Sequence, residues 1–517
     1  MGLIVNAEQM KAAEQSANRR GINTQTLASN AAAACFVALS QVAARGGGNI
    51  GEQTAAVLCG RGMNGGDGLL LASHLHEAGV QVLCIFPDGY PRAGLSGDIF
   101  SRLSGTLACV SLEDGIGLSS QEGSAVKQAL KNSDIIADCI FGTGFHGELP
   151  LSTSETVQYI NENCRCLKVS VDIPSGAGSS LMFEPNITLV LGAYKDTLFS
   201  LPASGSCGQL ILLDIGLNAN DFADSANLPR ISDYAALAAA RPPLRKFSHK
   251  GTKGRLLNIA GNERFPGAAL LSTKAAIRTG AGLVALAASE QVIRTIAAAI
   301  PEGIFIAREQ SDKAAEKAFM KTLAAELESG RYDAIMLGCG LGDTIQTRKT
   351  VEFVINNASC PIILDADGIN AVCDNINVLS TARHEVPLIL TPHPGEFSRL
   401  TGLAVAQIQS NRLEYARLFA KEAGVILVLK GADTVIASPD SRVYVNPTGN
   451  PGLAKAGTGD VLTGVIGALV AGGTPPFEAA ALGAYLHGFA ADELAKRRCL
   501  HGITASDVAE QLGELRL

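Results

Sequence analysis

The sequence predicts an α/β protein of two tandem domains, each a three-layer α/β/α sandwich around a largely parallel sheet. Three observations predict it. The 517 residues exceed the length at which one hydrophobic core stops growing. Apolar residues make up 47% against 18% charged, with 56 glycines and 5% aromatics, a balance suited to compact α/β enzymes with many tight strand-to-helix turns. Apolar, β-rich runs also alternate with helical stretches in two blocks separated by a polar, proline-containing break.

Residues 8–44 read as Ala-rich helices that cover one face of the first sheet. The first block then supplies AAVLC (55–59), VQVLCIF (80–86), DIIADCIFGT (134–143), CLKVSVDIP (166–174), ITLVLG (187–192) and QLILLDIG (209–216). Runs this apolar suit parallel strands buried on both faces. The break over 217–254 carries a double proline and a basic cluster. It puts the domain boundary near residue 225, giving expected domains 1–225 and 226–517. The second block repeats the pattern with GRLLNIAG (254–261), LVALAA (283–288), DAIMLGCG (333–340), PIILDAD (361–367), VPLILTPHP (386–394) and VILVLKG (425–431). No short-period repeat interrupts either block.

A net charge of -7 argues against a general nucleic-acid or acidic-membrane surface and leaves room for local anion sites. The 12 cysteines are scattered without a CxxC, so buried reduced thiols are expected. No run of 18 predominantly apolar residues and no signal-like start is read, hence the expectation of a cytoplasmic protein without a membrane partner. His74 and His76, two apart in LLLASHLHEAG, do not share a helix face, which favours a solvated helix over a metal site. A homo-oligomer is expected on general grounds for such enzymes.

Directly after the strand at 55–59 stands GRGMNGGDG (60–68), with a helix expected from Leu69. Gly60, Gly62 and Gly65 satisfy GxGxxG in a strand-to-helix turn, an anion-binding context. The loops DCIFGTGFHGELP (138–150) and VDIPSG (171–176) fall at the carboxyl ends of later strands, where open α/β sheets collect ligands. Asn64, Asp138 and Ser175 offer hard oxygen donors that could hold a monovalent or divalent cation near a phosphate. Asp67 and Asp172 are left for ligand hydroxyls or proton transfer, although Asp138 and Asp172 could also cap turns.

On these loops the block, roughly 5–220, resembles the NAD(P)H-hydrate epimerase family. The resemblance implies a Rossmann-like domain with potassium held by Asn64, Asp138 and Ser175. It further implies a cofactor-hydrate site at Met63, Asn64, Gly65, Gly66 and Asp67, and at Gly142, Thr143, Gly144, Phe145, His146, Gly147 and Glu148, with Asp172 catalytic. Three positions depart from the family pattern: Met63 replaces an Asn, Ser29 an acidic residue before Asn30, and Asp196 a glycine after Lys195.

The strongest local signal is NPTGNPGLAKAGTGDVLTGVIGALVAG (446–472), where AGTGD feeds an apolar helix. Gly457 and Gly459 permit close backbone approach, and the helix N-terminus adds partial positive charge. Asp460 sits in the first turn as a candidate general base beside phosphate, with a structural cap as the alternative. KGADTVI (430–436) ends a buried strand in a polar turn, and TPHPGEF (391–397) sets His393 between prolines that fix its backbone. A second glycine-rich loop precedes a helix in 249–282.

With GCGLG (338–342), LDADGIN (364–370) and the HKG start in order, residues 235–515 resemble the NAD(P)H-hydrate dehydratase family, which is ribokinase-like. Thr252 and Lys253 depart from its pattern. The resemblance implies hydrate contacts at Ala268, Gly340 or Gly342, His393 and Asp460. It implies nucleotide contacts at Lys430, Gly431, Ala432, Asp433, Thr434 and the loop Gly457, Thr458 and Gly459. The implied reaction has Asp460 deprotonate the ring hydroxyl of NADH hydrate or NADPH hydrate as that oxygen attacks the terminal phosphoryl of ADP, or less expectedly ATP, with magnesium. Two alternatives stay open: a small-molecule kinase on the same loop, and a dehydratase whose N-terminal half only binds ligand.

Overall fold

The computed structural model describes residues 2–112, 118, 120–308, 313–381 and 386–516. It divides into two units, Met1–Leu228 and Pro229–Leu517. In the first, seven strands lie in the order Ala108–Ser111, Gln81–Phe86, Thr54–Cys59, Ile135–Cys139, Leu167–Val171, Ile187–Leu191, Gln209–Leu213, all parallel. Thr54–Cys59 comes earliest of the seven in the chain yet lies inside the sheet, so strand order reverses beside it. The reversal opens a crevice between the loops that follow Thr54–Cys59 and Ile135–Cys139, the place where doubly wound sheets bind ligands.

Helix Ala7–Arg19 begins in a capping box, with Asn6 Oδ1 accepting from Gln9 N at 2.9 Å and Gln9 Oε1 accepting from Asn6 N at 2.9 Å. Helix Thr24–Arg45 corrects one expectation: by length and composition it is apolar enough to cross a membrane. Its composition is dominated by alanine. Leu27, Ala28, Ala31, Ala32, Cys35, Ala38, Leu39 and Ala43 are buried, the three- and four-residue spacing of a helix laid on a core.

The second unit carries a ten-stranded sheet. Its order is Arg230–Ile231, Val443–Val445, Val435–Ala437, Ile426–Leu429, Leu388–Leu390, Ile362–Leu364, Ala334–Leu337, Arg255–Ile259, Leu283–Ser289, Ile304–Arg308. Only Val435–Ala437 runs antiparallel to its neighbours. Order reverses between Ala334–Leu337 and Arg255–Ile259, making a second switch point.

Helix Thr458–Ala471 is buried almost all round, packed against Met336 and Ile363 of the sheet and against other helices. Its glycines allow this: a Cβ on Gly464 would stand 2.3 Å from Ser272 O, and one on Gly467 2.5 Å from Met336 Sδ. The helix is therefore locked in place, and its N-terminus is a fixed object.

Candidate active sites

The first crevice is a cavity of about 1410 Å³, a volume generous for a dinucleotide-sized ligand. One correction concerns its floor. The helix after Thr54–Cys59 starts at Met63, not Leu69, so Asn64–Asp67 form its first turn. The glycines that suggest a loop are demanded by packing instead, since a Cβ on Gly65 would lie 1.8 Å from Gly60 O. Gly65→Ala is expected to destabilise the first unit by about 1–3 kcal/mol through overpacking, measurable as a lower urea midpoint. An unchanged midpoint would contradict this packing.

Met63, Asn64, Asp67, Gly142, Thr143, Gly144, Phe145 and Asp172 line the cavity. Gly65 and Gly66 are buried. His146, Gly147 and Glu148 are exposed and stand beyond the cavity wall. Glu148 accepts instead from Ser180 N at 3.1 Å and Ser180 Oγ at 2.6 Å, and these hydrogen bonds hold its pKa down. Asp172 has φ 73°. Thr143 Oγ1 donates to one of its oxygens at 2.7 Å, and the fully buried Lys195 is ion-paired with the other. Burial pushes the Asp67 carboxyl well up, and the negative charges of Asp172 and Glu14 push further.

Beneath the cavity, Asp138 is fully buried and accepts from Ser175 Oγ at 2.5 Å, Ser175 N at 2.8 Å, Ser170 Oγ at 3.0 Å and Ile140 N at 3.2 Å. Each of these donors is neutral, and burial raises its pKa against their pull. Asn64 Nδ2 donates to Phe141 O at 2.9 Å and Val171 O at 3.2 Å. Asn64 Oδ1 is buried without a hydrogen-bond partner. An orphaned amide oxygen and a carboxylate with neutral donors fit a monovalent cation such as potassium.

In the second unit, four adjacent parallel strands end side by side, with Leu337 opposite Leu364 and Leu364 opposite Leu390. This register delivers Cys339, Asp365, Thr391 and Lys430 to one edge. Asp365 is 2% exposed and accepts from Lys430 Nζ at 2.8 Å, Thr391 Oγ1 at 2.8 Å and Thr463 Oγ1 at 2.9 Å. Burial alone would raise its pKa, but Lys430 and these hydrogen bonds bring it below the usual value. Burial likewise opposes the charge on Lys430, while Asp365 and Glu396 bring its pKa up.

Asp460, in the first turn of Thr458–Ala471, has its pKa pushed up to about 6 by burial, with the charge of Asp365 adding to it. Cys339, Asp365 and Asp460 bring their ligating atoms within 4.8 Å of one another. Lys430 already supplies the cation there, so the cluster is an ion-pair network rather than a metal cage.

His393 caps helix Pro394–Thr401, its Nδ1 accepting from Gly395 N at 3.0 Å and Glu396 N at 3.3 Å. That leaves Nε2 as the N–H, 3.3 Å from Glu396 Oε1. The Glu396 side chain continues to Lys430 Nζ at 3.9 Å, so a chain of polar contacts links His393 to Asp365. Ala268 and Gly340 meet at the switch point: a Cβ on Gly340 would lie 2.7 Å from Ala268 Cβ. A Cβ on Gly342 would meet Asn262 Nδ2 at 2.8 Å, and Gly342 N donates to Asp367 Oδ2 at 2.7 Å.

The turn Lys430–Thr434 is held from beneath by the buried Arg412, which donates to Ala432 O at 2.6 Å, Leu429 O at 3.1 Å and Lys430 O at 3.3 Å. Asp433 has φ 53°, and Thr434 Oγ1 donates to Gly431 O at 2.9 Å. Gly457 precedes the helix with φ 91°, Thr458 Oγ1 bonds Leu453 O and Lys455 O at 2.9 Å each, and a Cβ on Gly459 would come 3.3 Å from Lys430 Nζ. Lys430, Gly459 and Asp460 therefore converge, while Gly431–Thr434 form the adjoining turn.

Sequence reasoning missed Glu14, Lys195, Cys339, Asp365, Glu396 and Arg412. Cys339, Asp365 and Glu396 lie inside quoted motifs, GCGLG, LDADGIN and TPHPGEF, so the signal was present without an assigned role. Lys195 and Arg412 carried only the weaker signal of a charged residue beside an apolar run.

Comparison with known proteins follows the same division. Residues 24–197 match the family described as YjeF-related protein N-terminus, and residues 256–513 the family described as NAD(P)H-hydrate dehydratase. The bifunctional NAD(P)H-hydrate repair enzyme Nnr of Moorella thermoacetica is 36% identical over 478 residues, covering 90% of this chain and 88% of that protein. The ADP-dependent (S)-NAD(P)H-hydrate dehydratase of Bacillus subtilis is 40% identical over 53% of this chain and 93% of its own. A crystal structure of the ADP/ATP-dependent NAD(P)H-hydrate dehydratase of Bacillus subtilis, co-crystallised with ATP and Mg2+, is 37% identical, covering 55% of this chain and 96% of that one at a TM-score of 0.49.

Proposed function

This chain belongs to the bifunctional NAD(P)H-hydrate repair enzymes, and from that premise we propose how its residues divide the work. The first half epimerises the R and S forms of NAD(P)H hydrate, and the second dehydrates the S form at the expense of a nucleotide. The observation that carries the assignment of the chemistry is the placement of Asp460 in the first turn of the tightly packed helix Thr458–Ala471, beside Gly459 and the Lys430 ammonium.

In the second unit Asp460 takes the proton of the ring hydroxyl as that oxygen attacks the terminal phosphoryl of ADP. The carbon–oxygen bond then breaks, phosphate leaves with its electron pair, and loss of a proton from the adjacent ring carbon restores the reduced cofactor, with AMP as the other product. The amides of Gly457–Gly459 and the Lys430 ammonium stabilise charge on the transferring group, and magnesium arrives with the nucleotide phosphates. His393, with its Nε2–H fixed by helix capping, orients the hydrate beside Ala268 and Gly340. The turn Lys430–Thr434 receives the nucleotide.

In the first unit Asp172 is the proton acceptor and Asp67 the proton donor, two carboxyl groups whose surroundings separate their roles. Potassium would be held by Asn64, Asp138 and Ser175 and would supply positive charge beneath the substrate's phosphates. The protein acts on free cofactor hydrates in the cytoplasm as a homo-oligomer.

The test follows absorbance of reduced nicotinamide with a mixed-epimer NADH hydrate, magnesium, potassium and either ADP or ATP. Return of absorbance is expected with ADP in preference to ATP. Recovery is expected to exceed the share of the usable epimer, faster than spontaneous epimerisation. Preference for ATP would overturn the donor assignment, and no recovery with either would overturn the residue roles.

A further inference from the structure

Arg412 opens helix Arg412–Ala423 and is 2% exposed, a buried cation to which the mechanism gives no part. Buried guanidinium groups ordinarily meet a carboxylate. Among the described residues, the hydrogen bonds of this one go only to the main chain of a single turn, to Leu429 O, Lys430 O and Ala432 O. Its Nε is buried without a hydrogen-bond partner, so the group is oriented by the turn. Burial lowers its pKa to about 10, with Asp433 the opposite charge nearby, and the side chain is a cation at neutral pH.

The direction of those bonds decides what the turn presents. In a planar trans peptide the C=O and the N–H point opposite ways. With Lys430 O drawn toward Arg412, the N–H of Gly431 is turned away from it, and Gly431 is exposed. Gly431 has φ 153°, and a Cβ there would lie 2.7 Å from Arg412 Nη2 and 2.8 Å from Nη1, so the turn rests on the guanidinium and leaves room for glycine alone. Asp433 holds φ 53°, unfavourable for a residue with a side chain, and the shortest of the three bonds, to Ala432 O at 2.6 Å, pins the peptide that precedes it. Lys430, in the same turn, ends beside the loop ahead of Asp460: a Cβ on Gly459 would come 3.3 Å from Lys430 Nζ.

We propose that Arg412 is a positioning residue for nucleotide use in dehydration. By holding the carbonyls of the turn inward, it fixes the Gly431 N–H as an outward donor for the phosphates of ADP, next to the Lys430 ammonium. This rests on the turn Lys430–Thr434 receiving the nucleotide. An outward amide beside a cation suits an anion, and a turn that is already set binds it without an ordering cost.

The experiment measures dehydratase kcat and the KM values for ADP and for NADH hydrate, with the full chain, for the wild type, Arg412→Met and Arg412→Lys. Methionine fills much of the space with no donor, and lysine keeps the charge but not the fork that reaches three carbonyls. A hydrogen bond that involves a charged group is worth about 10- to 100-fold in binding. Both variants are expected to raise the KM for ADP by roughly tenfold or more and to leave the KM for NADH hydrate unchanged. A purely structural role would lower the unfolding midpoint and the yield of active enzyme, and so kcat, with the KM for ADP in place.

Amide hydrogen exchange over residues 430–434 of the wild type, with and without ADP and magnesium, tests the reading beneath, and ADP is expected to slow it. If exchange there is the same with ADP, the turn does not receive the nucleotide, and the proposal falls with that reading. If ADP protects the turn but Arg412→Lys keeps the wild-type KM for ADP, the proposal alone is overturned, and this arm stands even where Arg412→Met does not fold. Equal rises in both KM values also overturn it, because a general distortion of the second unit would then be the cause.

Discussion

Asp460→Asn is expected to lower dehydration of the S hydrate by roughly 10²–10⁴-fold, the range a positioned general base contributes, while epimerisation in the other half persists. The same change is expected to stabilise the second unit. Asp460 in the folded state holds its proton up to about pH 6 against an ordinary 3.8. Between those values the folded state binds the proton more tightly, so stability rises as pH falls from above 6 toward 4. At pH 8 the wild type must keep an ionised carboxylate in a half-buried position beside Asp365, and an asparagine has none to ionise. The variant is therefore expected to gain on the order of 2 kcal/mol at pH 8 and little near pH 4, read from urea unfolding at both. A variant that is slow but no more stable at pH 8 would show that the raised pKa is not a property of the resting enzyme.

Asp172→Asn is expected to stop absorbance recovery at the share of the usable epimer, with epimerisation down by roughly 10²–10⁴-fold and the dehydration rate of that epimer unchanged. It also strips Lys195, which is fully buried, of its ion-pair partner, and breaking such a pair costs roughly 3–5 kcal/mol. The double variant Asp172→Asn with Lys195→Met removes both charges. It is expected to regain most of the lost stability without regaining epimerisation. If the double variant epimerises normally, Asp172 serves the fold and not the chemistry.

The sheet of each unit was readable because its central strands are buried on both faces and appear in the sequence as unbroken apolar runs, such as those around Val57, Val169 and Val428. Strands at the margins carry less signal. Val435–Ala437 and Val443–Val445 are three residues each, and Ala108–Ser111 is only partly covered. The helix starts at Met63, six residues ahead of the expected Leu69, because Gly65 and Gly66 oppose helix formation locally, while packing of Gly66 on Ser96 and of Gly68 on Cys139, distant in the chain, decides the matter.

Site residues divide the same way. Glycine loops ahead of helices, as at Gly457–Asp460, mark themselves by spacing. Pairs joined across strands do not: Lys195 meets Asp172 from 23 residues away, and Lys430 meets Asp365 from 65. Those meetings are set by where the chain crosses the fold: Leu388–Leu390 lies between the strands leading to Asp365 and Lys430, and Lys195 belongs to a separate two-stranded sheet, so no single segment encodes either pair.

The left-handed backbone at Asp172, φ 73°, also limits how this position can vary over time. Asparagine and aspartate enter that conformation more readily than other residues with a side chain. Replacement by asparagine is thus open to drift at little backbone cost, yet it removes the charge. Glutamate would keep the charge but meets a conformational penalty and displaces the carboxylate by one methylene. The backbone thus admits asparagine more easily than glutamate, but the buried Lys195 penalises loss of the charge. Lineages in which hydrated cofactors equilibrate fast enough unaided would be expected to lose the acid only together with a change at Lys195, the two positions varying as a pair.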